Sequence, residues 1–227
     1  MILAWLLMGV VFVATLVIQF WLQSTYARYS RIANSRGLTG AQTARAILDA
    51  NGLRDVRVEM VPGALTDHYD PSQKVVRLSE PNYNSPSVAA LAVAAHEVGH
   101  ALQDAKGYAA LRVRAAILPA ANIGSALGPI LVLVGLVVGS LGLAELGLWL
   151  FAAVALFQLV TLPVEFDASS RALRILRQGF LSSGPEMAGA QRVLTAAALT
   201  YVAALASTLS TIFYYLTILQ GARSREE

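Results

Sequence analysis

The sequence contains no cysteine, which excludes disulfides and every metal site built on thiolates. Charged residues are also scarce. They make up 14% of the chain, against about 25% in ordinary soluble domains, so the chain is not expected to lie wholly in water. The net charge of +3 is small and diffuse and does not indicate a nucleic-acid partner. Hydrophobic residues make up 56% of the chain, and this composition predicts membrane-spanning segments.

Four long apolar stretches account for this composition. A helix needs about 20 mostly apolar residues to cross the hydrocarbon core. We interpret the first stretch, residues 2–22, as a retained anchor rather than a signal peptide, because no basic segment precedes it and no small-residue cleavage site follows. Residues 120–162 are long enough for two spans joined by a tight turn around GSLGLAELG. The predicted transmembrane helices are residues 1–22, 120–141, 144–162 and 193–219.

Most polar residues lie in two segments between these spans, residues 23–116 and 163–192. In the first segment, Thr39 is a plausible N-cap and Gly52 a plausible C-terminal stop for a short amphipathic helix. Two stretches of alternating residues follow, with the turn formers TDHYDPSQ between them. They predict a short antiparallel β-ribbon that pairs residues 56–61 with residues 74–79.

A second helix is predicted over SPSVAALAVAAHEVGHALQDAKG. Ser85 is a favourable N-cap, Pro86 suits the first helical position, and Gly107 can end the helix. The apolar run before the first histidine has about nine residues, which is too few to cross a membrane. The helix is therefore expected to lie in the core of a small domain.

Three ionisable side chains interrupt this apolar helix. His96 and His100 are four residues apart, so both imidazoles lie on one face and can reach one zinc ion. Glu97 is rotated by roughly 100° from His96, which sets its carboxylate beside the metal rather than on it. This is the physical content of the H-E-x-x-H pattern. Two core histidines without a metal are the alternative, but burying these groups unpartnered would be costly.

A catalytic zinc site also needs a third protein ligand and an open position for water. No third histidine follows at the metzincin spacing. Two spans return the chain to the face that carries His96, which favours Glu165, whereas Glu145 lies between those spans. Pro163 is expected to end the third span and to begin an amphipathic helix, where Glu165 could alternatively be a charge that favours the helix dipole. The full set of candidates is His68, Asp104, Glu145, Glu165, Asp167 and Glu186.

The sequence AAHEVGHALQ, followed after two spans by LPVEFDASSRAL, resembles the YugP-type neutral zinc metallopeptidases of bacterial membranes. The sequence LTDHYDPSQKVVRLSE also fits that family's pattern, and the resemblance extends over nearly the whole chain. It implies zinc held by His96, His100 and Glu165, with Glu97 as the general base.

One position departs from the wider group of HtpX-type membrane gluzincins that this family resembles. In that group the third-ligand helix usually reads E-x-x-x-D, and the final acid orients a zinc histidine. Here the position four residues after Glu165 is Ser169, and the nearby acid is Asp167. Either residue could orient His96, because ligating histidines almost always donate their other N–H to an oxygen.

Together these features predict a mainly α membrane protein with four transmembrane helices. A small α+β zincin-like catalytic domain is expected at residues 23–116 and a third-ligand segment at residues 163–192. The expected activity is that of a zinc metalloendopeptidase in which Zn²⁺ activates water and Glu97 takes its proton. His68 and Tyr69 are the candidate donors to the oxyanion, although His68 could instead be a turn residue bonded locally.

Two other functions are compatible with parts of this pattern. A proteolytically silent scaffold or adaptor could use zinc only to stabilise its fold, but such a site has no use for Glu97. An ion transporter would carry ionisable residues inside its spans, and none lies well inside them. The expected partners are therefore the lipid bilayer and a peptide or membrane-protein substrate, which could pair with the edge of the ribbon.

Basic residues near the ends of the spans predict which face of the membrane the zinc domain occupies. They cluster on one side of all four spans: Arg28, Arg31, Arg36, Arg112, Arg114, Arg171, Arg174, Arg177 and Arg192. The turn between the second and third spans holds no lysine or arginine. The N-terminus is thus expected outside and the zinc domain on the cytoplasmic face of a bacterial inner membrane. Arg223 and Arg225 in the tail oppose this assignment.

Overall fold

The computed structural model describes residues 1–181 and 184–224. The chain is mainly helical and divides into two compact units. One comprises residues 1–19, 112–163 and the chain from 200 onward, and the other comprises residues 20–111 and 164–199. The elements in chain order are α1 (Ile2–Tyr29), α2 (Gly40–Ala50), β1 (Arg57–Val61), β2 (His68–Asp70), β3 (Val75–Ser79), α3 (Glu80–Asn84), α4 (Val88–Ala105), α5 (Ala109–Val137), α6 (Leu141–Arg177) and α7 (Pro185–Arg223).

Within the described residues, four helices, α1, α5, α6 and α7, are long and apolar enough to cross a membrane, which agrees with the expected number. Helices α6 and α7 extend past both ends of their predicted spans, and α1 extends past the C-terminal end of its span. Helix α5 begins before its predicted span but ends at Val137, before the predicted end at residue 141. The amphipathic segment expected to begin at Pro163 is not a separate helix, because α6 runs without a break through Pro163 to Arg177. If a helix ended at this position, its last four carbonyls would lose their hydrogen-bond partners. A proline inside the helix removes only one N–H donor, and membrane helices tolerate that loss, so the helix continues.

Within the first unit, small residues let α5 and α6 approach closely. A Cβ added to Gly147 would lie 2.6 Å from the carbonyl oxygen of Gly128, so the two backbones are in contact. Such small-residue contacts are typical of membrane helix pairs. The connection between the helices is three residues long and turns at Gly139, whose φ of +71° suits glycine. The same unit contains an ion pair between Arg223 and Glu145.

The core of the second unit is built around α4, in which most side chains are buried. This confirms that the H-E-x-x-H helix is a buried core helix. The helix nevertheless starts two residues later than predicted. Ser87, not Ser85, is the N-cap, and its hydroxyl accepts a hydrogen bond from the backbone N–H of Ala90 at 3.2 Å. Ser85 instead follows α3, and its carbonyl accepts from the N–H of Gly40.

Helix α2 matches its predicted ends. Thr39 caps it in a full capping box with Gln42, and Gly52 follows it with a φ of +75°. At the end of α4, Gly107 takes a φ of +62°, as predicted for a helix stop.

The antiparallel ribbon predicted between residues 56–61 and 74–79 is wrong. The sheet has three strands in the order β1-β3-β2, and β1 runs parallel to β3, with Arg57 opposite Val75. Residues 68–70, predicted as part of a turn, form β2 and pair with β3 in the antiparallel direction. Because this hairpin occupies one edge of β3, only the other edge is left for β1, and the chain must cross over to reach it.

Candidate metal centre

Two helices bring together three side chains that could hold a metal ion, and these form the candidate metal-binding group. His96 and His100 lie one turn apart on α4, and Glu165 lies on α6. The donor atoms of the three all lie within 4.8 Å of one another. A Glu165 carboxylate oxygen is 3.2 Å from Nε2 of His96 and 3.6 Å from Nε2 of His100. Of the candidates for a third ligand, the structure therefore joins Glu165 to the two histidines.

The chemistry of these donors fits zinc. Two imidazole nitrogens and one carboxylate form a set used by catalytic zinc sites, which keep a further position open. Both histidines present the same atom, Nε2, to the shared carboxylate. The side chain of Glu165 is only 3% exposed, so an anion is buried where the two rings converge. A bound cation would balance that charge.

Each histidine is held from behind through its other nitrogen. Oγ of Ser169 lies 3.1 Å from Nδ1 of His96. Oε1 of Gln103 lies 3.0 Å from Nδ1 of His100. Of the two residues considered for His96, Ser169 makes the contact. A residue four positions after Glu165 lies on the same helical face, which explains why Ser169 reaches the site.

Gln103 was not identified from the sequence, although it is fully buried and contacts His100. Its amide nitrogen donates to the carbonyl of Val164 and to the carboxylate of Asp167, both at 2.8 Å. The Gln103 oxygen accepts, so His100 donates from Nδ1, and Nε2 is the ring atom left to face a metal. The available signal was helical spacing, since Gln103 lies three residues after His100.

Asp167 supports this arrangement indirectly. Besides Gln103, its carboxylate contacts the guanidinium of Arg171 at 2.5 Å, one turn along α6. From the sequence, Asp167 was a candidate partner of His96. In the structure Asp167 instead contacts Gln103, the residue that holds His100. One hydrogen-bonded chain thus ties the metal-facing side of α4 to α6.

Glu97 lies next to the metal-binding group and is almost completely buried. Burial raises the pKa of Glu97, and the nearby Glu165 carboxylate adds to this effect. Burial lowers the pKa of His100, but the hydrogen bond with Glu165 and the charge of Glu97 outweigh it and raise that pKa. Burial also raises the pKa of Glu165, but its hydrogen bonds with His100 and His96 outweigh that effect and hold the pKa below its usual value. The ionised Glu165 therefore makes the site electronegative, which favours a cation there.

Close contact between the helices depends on Gly99, inside the H-E-x-x-H pattern. A Cβ at this position would lie 2.8 Å from the carbonyl oxygen of Ala168. That distance is shorter than van der Waals contact, and the atom it meets belongs to a backbone, which cannot rotate away. Gly99 therefore lets α6 pack near enough for Glu165 to reach both histidines.

We expect Gly99→Ala to destabilise the protein by roughly 1–3 kcal/mol, the usual cost of forcing extra volume into a packed contact. Zinc affinity should fall with it, because α6 must move away from α4. Thermal unfolding in detergent and metal analysis measure the two effects. Gly9→Ala is the matched control, since a Cβ there meets nothing within 4 Å. Equal stability of the two variants would contradict the close-contact role of Gly99.

His68 and Tyr69, the candidates for oxyanion donors, lie on β2. His68 is exposed, and its Nδ1 is 2.9 Å from the carbonyl oxygen of Thr66. The Tyr69 hydroxyl donates to Asp104 at 2.7 Å, and burial together with that carboxylate raises the pKa of Tyr69. The hydrogen-bond partners of the two side chains, Thr66 and Asp104, are therefore outside the group formed by His96, His100 and Glu165.

The remaining acids considered as ligands have other partners. Asp104 contacts Tyr69 and Lys74, and Glu145 pairs with Arg223. Glu186 accepts a hydrogen bond from the backbone N–H of Ser35. Three of the acids that were candidates for the third ligand are thus paired with residues outside the candidate metal-binding group.

Asp67 is a half-buried residue with a structural role that was not identified from the sequence. Its carboxylate accepts hydrogen bonds from the backbone N–H of Ser79 at 2.8 Å and from the amide of Asn82 at 2.9 Å. Asn82 in turn accepts from the hydroxyl of Tyr26 at 2.8 Å. The residue immediately before β2 is thereby fixed to the end of β3.

Comparisons with known proteins agree with this chemistry. Residues 4–220 match the family model described as "Putative neutral zinc metallopeptidase". The chain is 50% identical over 216 residues to the protein of Bacillus subtilis (strain 168) named "Putative membrane protease YugP", and the match covers 93% of this chain and 96% of that protein. No solved structure matches the chain. With nearly all of its length matched, the chain belongs to the neutral zinc metallopeptidase family.

Proposed function

We propose that the protein is a membrane-bound zinc endopeptidase whose active site is formed by His96, Glu97, His100 and Glu165. The observation that carries this proposal is the convergence of two Nε2 atoms on one buried carboxylate, with a second buried carboxylate next to them in sequence. We further propose that the small sheet and α4 form a zincin-like catalytic domain, of the gluzincin type with its H-E-x-x-H helix.

His96, His100 and Glu165 would hold the zinc ion. When bound, zinc supplies a Lewis acid that makes water more acidic and polarises the peptide carbonyl. Glu97 takes the proton from the attacking water and gives it to the leaving amine. Its neighbourhood excludes bulk water, which strengthens each electrostatic interaction with the substrate.

Other side chains position these groups. Ser169 and Gln103 hold the two imidazoles through Nδ1, so that both Nε2 atoms stay directed at the metal. We retain His68 as the proposed donor to the oxyanion, with Tyr69 as the alternative. In the described sheet β2 is an edge strand, so an extended substrate could add to it by backbone hydrogen bonds.

The alternative of a silent scaffold has one point in its favour, which is that the site is largely enclosed. Against it stands Glu97, a buried carboxylate that a purely structural zinc site would not require. The deciding experiment exposes zinc-loaded protein in detergent to peptides derived from membrane and cytosolic proteins, with Glu97→Gln as the parallel sample. New cleavage products present only with the native protein support an endopeptidase, and identical peptide patterns would support the scaffold.

We also propose that the zinc domain faces the cytoplasm of a bacterial cell, against the inner membrane. The distribution of arginines around the four spans supports this. Arg223, which opposes it, is ion-paired with Glu145, and Arg225 lies outside the described residues. Substrates would then be cut close to the cytoplasmic ends of their own spans.

The absence of native cysteine makes this orientation directly testable. A single cysteine at Gly142, near the turn between α5 and α6, should react with a membrane-impermeant thiol reagent in intact cells. One at Ser72, between β2 and β3, should react only after lysis, because the membrane shields the cytoplasm. Labelling is read by the mass shift of the purified protein. The reverse pattern would place the catalytic domain outside the cell.

A further inference from the structure

A groove of about 440 Å³ lies between α6 and α7 in the second unit. Its α6 wall directly follows the third predicted span, and its α7 wall is the first part of the fourth predicted span. The lining is mainly apolar, with three hydroxyls and two arginines: Phe166, Ser169, Ser170, Leu173, Arg174, Arg177, Leu194, Thr195, Ala198 and Leu199.

The lining changes character along the groove. Phe166 on α6, four residues after the third predicted span, and Leu199 on α7, inside the fourth, lie at the membrane end of the groove. Arg174 and Arg177 lie two to three turns further along α6, on the same face as Phe166. The groove is therefore apolar on the membrane side and cationic on the other, which is the polarity of a phospholipid in one leaflet.

The guanidiniums of Arg174 and Arg177 form no ion pair in the described part of the chain, although the charge of Arg174 helps to lower the pKa of Asp167 from a longer distance. Among the described residues, neither Arg174 nor Arg177 has a carboxylate within ion-pair distance, and no acid lines the groove. The nearest acid on their helix, Asp167, is already engaged by Arg171 and Gln103. Two adjacent unpaired guanidiniums favour an anionic ligand, and phosphate oxygens suit their planar donor pattern.

We propose that this groove binds an anionic phospholipid, with the headgroup phosphate at Arg174 and Arg177 and an acyl chain along the apolar end. Basic pockets between membrane helices are suited to such headgroups. The exposed hydroxyls of Ser170 and Thr195 offer further hydrogen bonds to the headgroup.

A peptide substrate fits the groove less well. Ser169 is the lining residue that touches the metal-binding group, and it contacts His96 through Nδ1. The Nε2 atoms and Glu165 converge on the other side of that ring. The groove thus lies behind the site rather than in front of it, so its occupant contacts a residue that holds His96 without entering the reaction path.

Native mass spectrometry of the zinc-loaded full chain tests this proposal by counting retained lipids. The detergent-solubilised protein is mixed with equal amounts of phosphatidylglycerol and phosphatidylcholine. The native protein should retain one phosphatidylglycerol in preference. Arg174→Gln with Arg177→Gln should weaken that binding about thirty-fold, the combined effect of two cations at an anionic surface. The lysine double variant should lose less, because it keeps the charge but not the planar donors.

The matched control is Arg31→Gln with Arg36→Gln, which removes the same charge from exposed arginines that do not line the groove. It should retain phosphatidylglycerol like the native protein. An equal loss in the control would assign the preference to general surface charge and overturn the proposal. Unchanged retention in the Arg174/Arg177 variant would overturn it too, as would displacement of the lipid by an acidic peptide. Binding is read without any peptidase assay, so the result does not depend on the proposed catalytic function.

Discussion

Glu97→Gln should lower peptidase activity at least a hundredfold while leaving about one zinc ion bound per chain. The glutamine has nearly the same shape but cannot accept the proton of the attacking water, and loss of a general base usually costs 10²–10⁴-fold in rate. Zinc should remain because the donor atoms belong to His96, His100 and Glu165. Cleavage of a fluorogenic peptide and metal analysis of the same sample measure both quantities.

The native protein and a surface variant such as Glu59→Gln serve as controls for folding and handling. Glu59 lies on β1 with arginine partners and belongs to no metal-binding group. Substantial residual activity in Glu97→Gln would remove Glu97 from the mechanism. Loss of zinc in the same variant would instead mean that Glu97 helps to hold the metal.

Local patterns predicted the parts of this fold that depend on neighbouring residues. The capping box of α2, the glycine stop of α4 and the four apolar helices follow from side chains within a few positions of one another. The direction of β1 does not follow from such local patterns. Its neighbour was predicted correctly, but the parallel pairing depends on a three-residue strand, β2, that takes the other edge of β3. A strand of three residues is too short for its sequence pattern to predict it, and β2 is recognisable only from its pairing with β3.

The metal centre shows the same division. The spacing of His96 and His100 is local and was readable, and counting spans was enough to favour Glu165. Gln103 could not be assigned in the same way, because its function arises only when α6 brings Val164 and Asp167 to it. Its contact with His100 was accessible from helical spacing alone, whereas the three-way hydrogen bonding that fixes the imidazole tautomer depends on the tertiary structure.

Glu165→Ala should produce the largest loss of zinc of any single change on α6. It removes one of three donors and leaves two neutral imidazoles, so the fall in affinity should exceed the 10–100-fold typical of changes to residues that only support a ligand. Asp167→Ala is the comparison, two positions away on the same helix. It removes a partner of Gln103 but no donor atom, and its effect should stay within that 10–100-fold range.

Competition with a zinc chelator of known affinity gives the dissociation constant of each variant, and metal analysis after dialysis gives occupancy. In Glu165→Ala, peptidase activity should disappear together with the metal and return in part at high zinc concentration, because the two histidines and Glu97 remain in place. Full occupancy in Glu165→Ala with none in Asp167→Ala would show that the wrong carboxylate had been assigned. The close approach of the Glu165 oxygen to both Nε2 atoms, against the contacts of Asp167 with Gln103 and Arg171, is the reason to expect the opposite order.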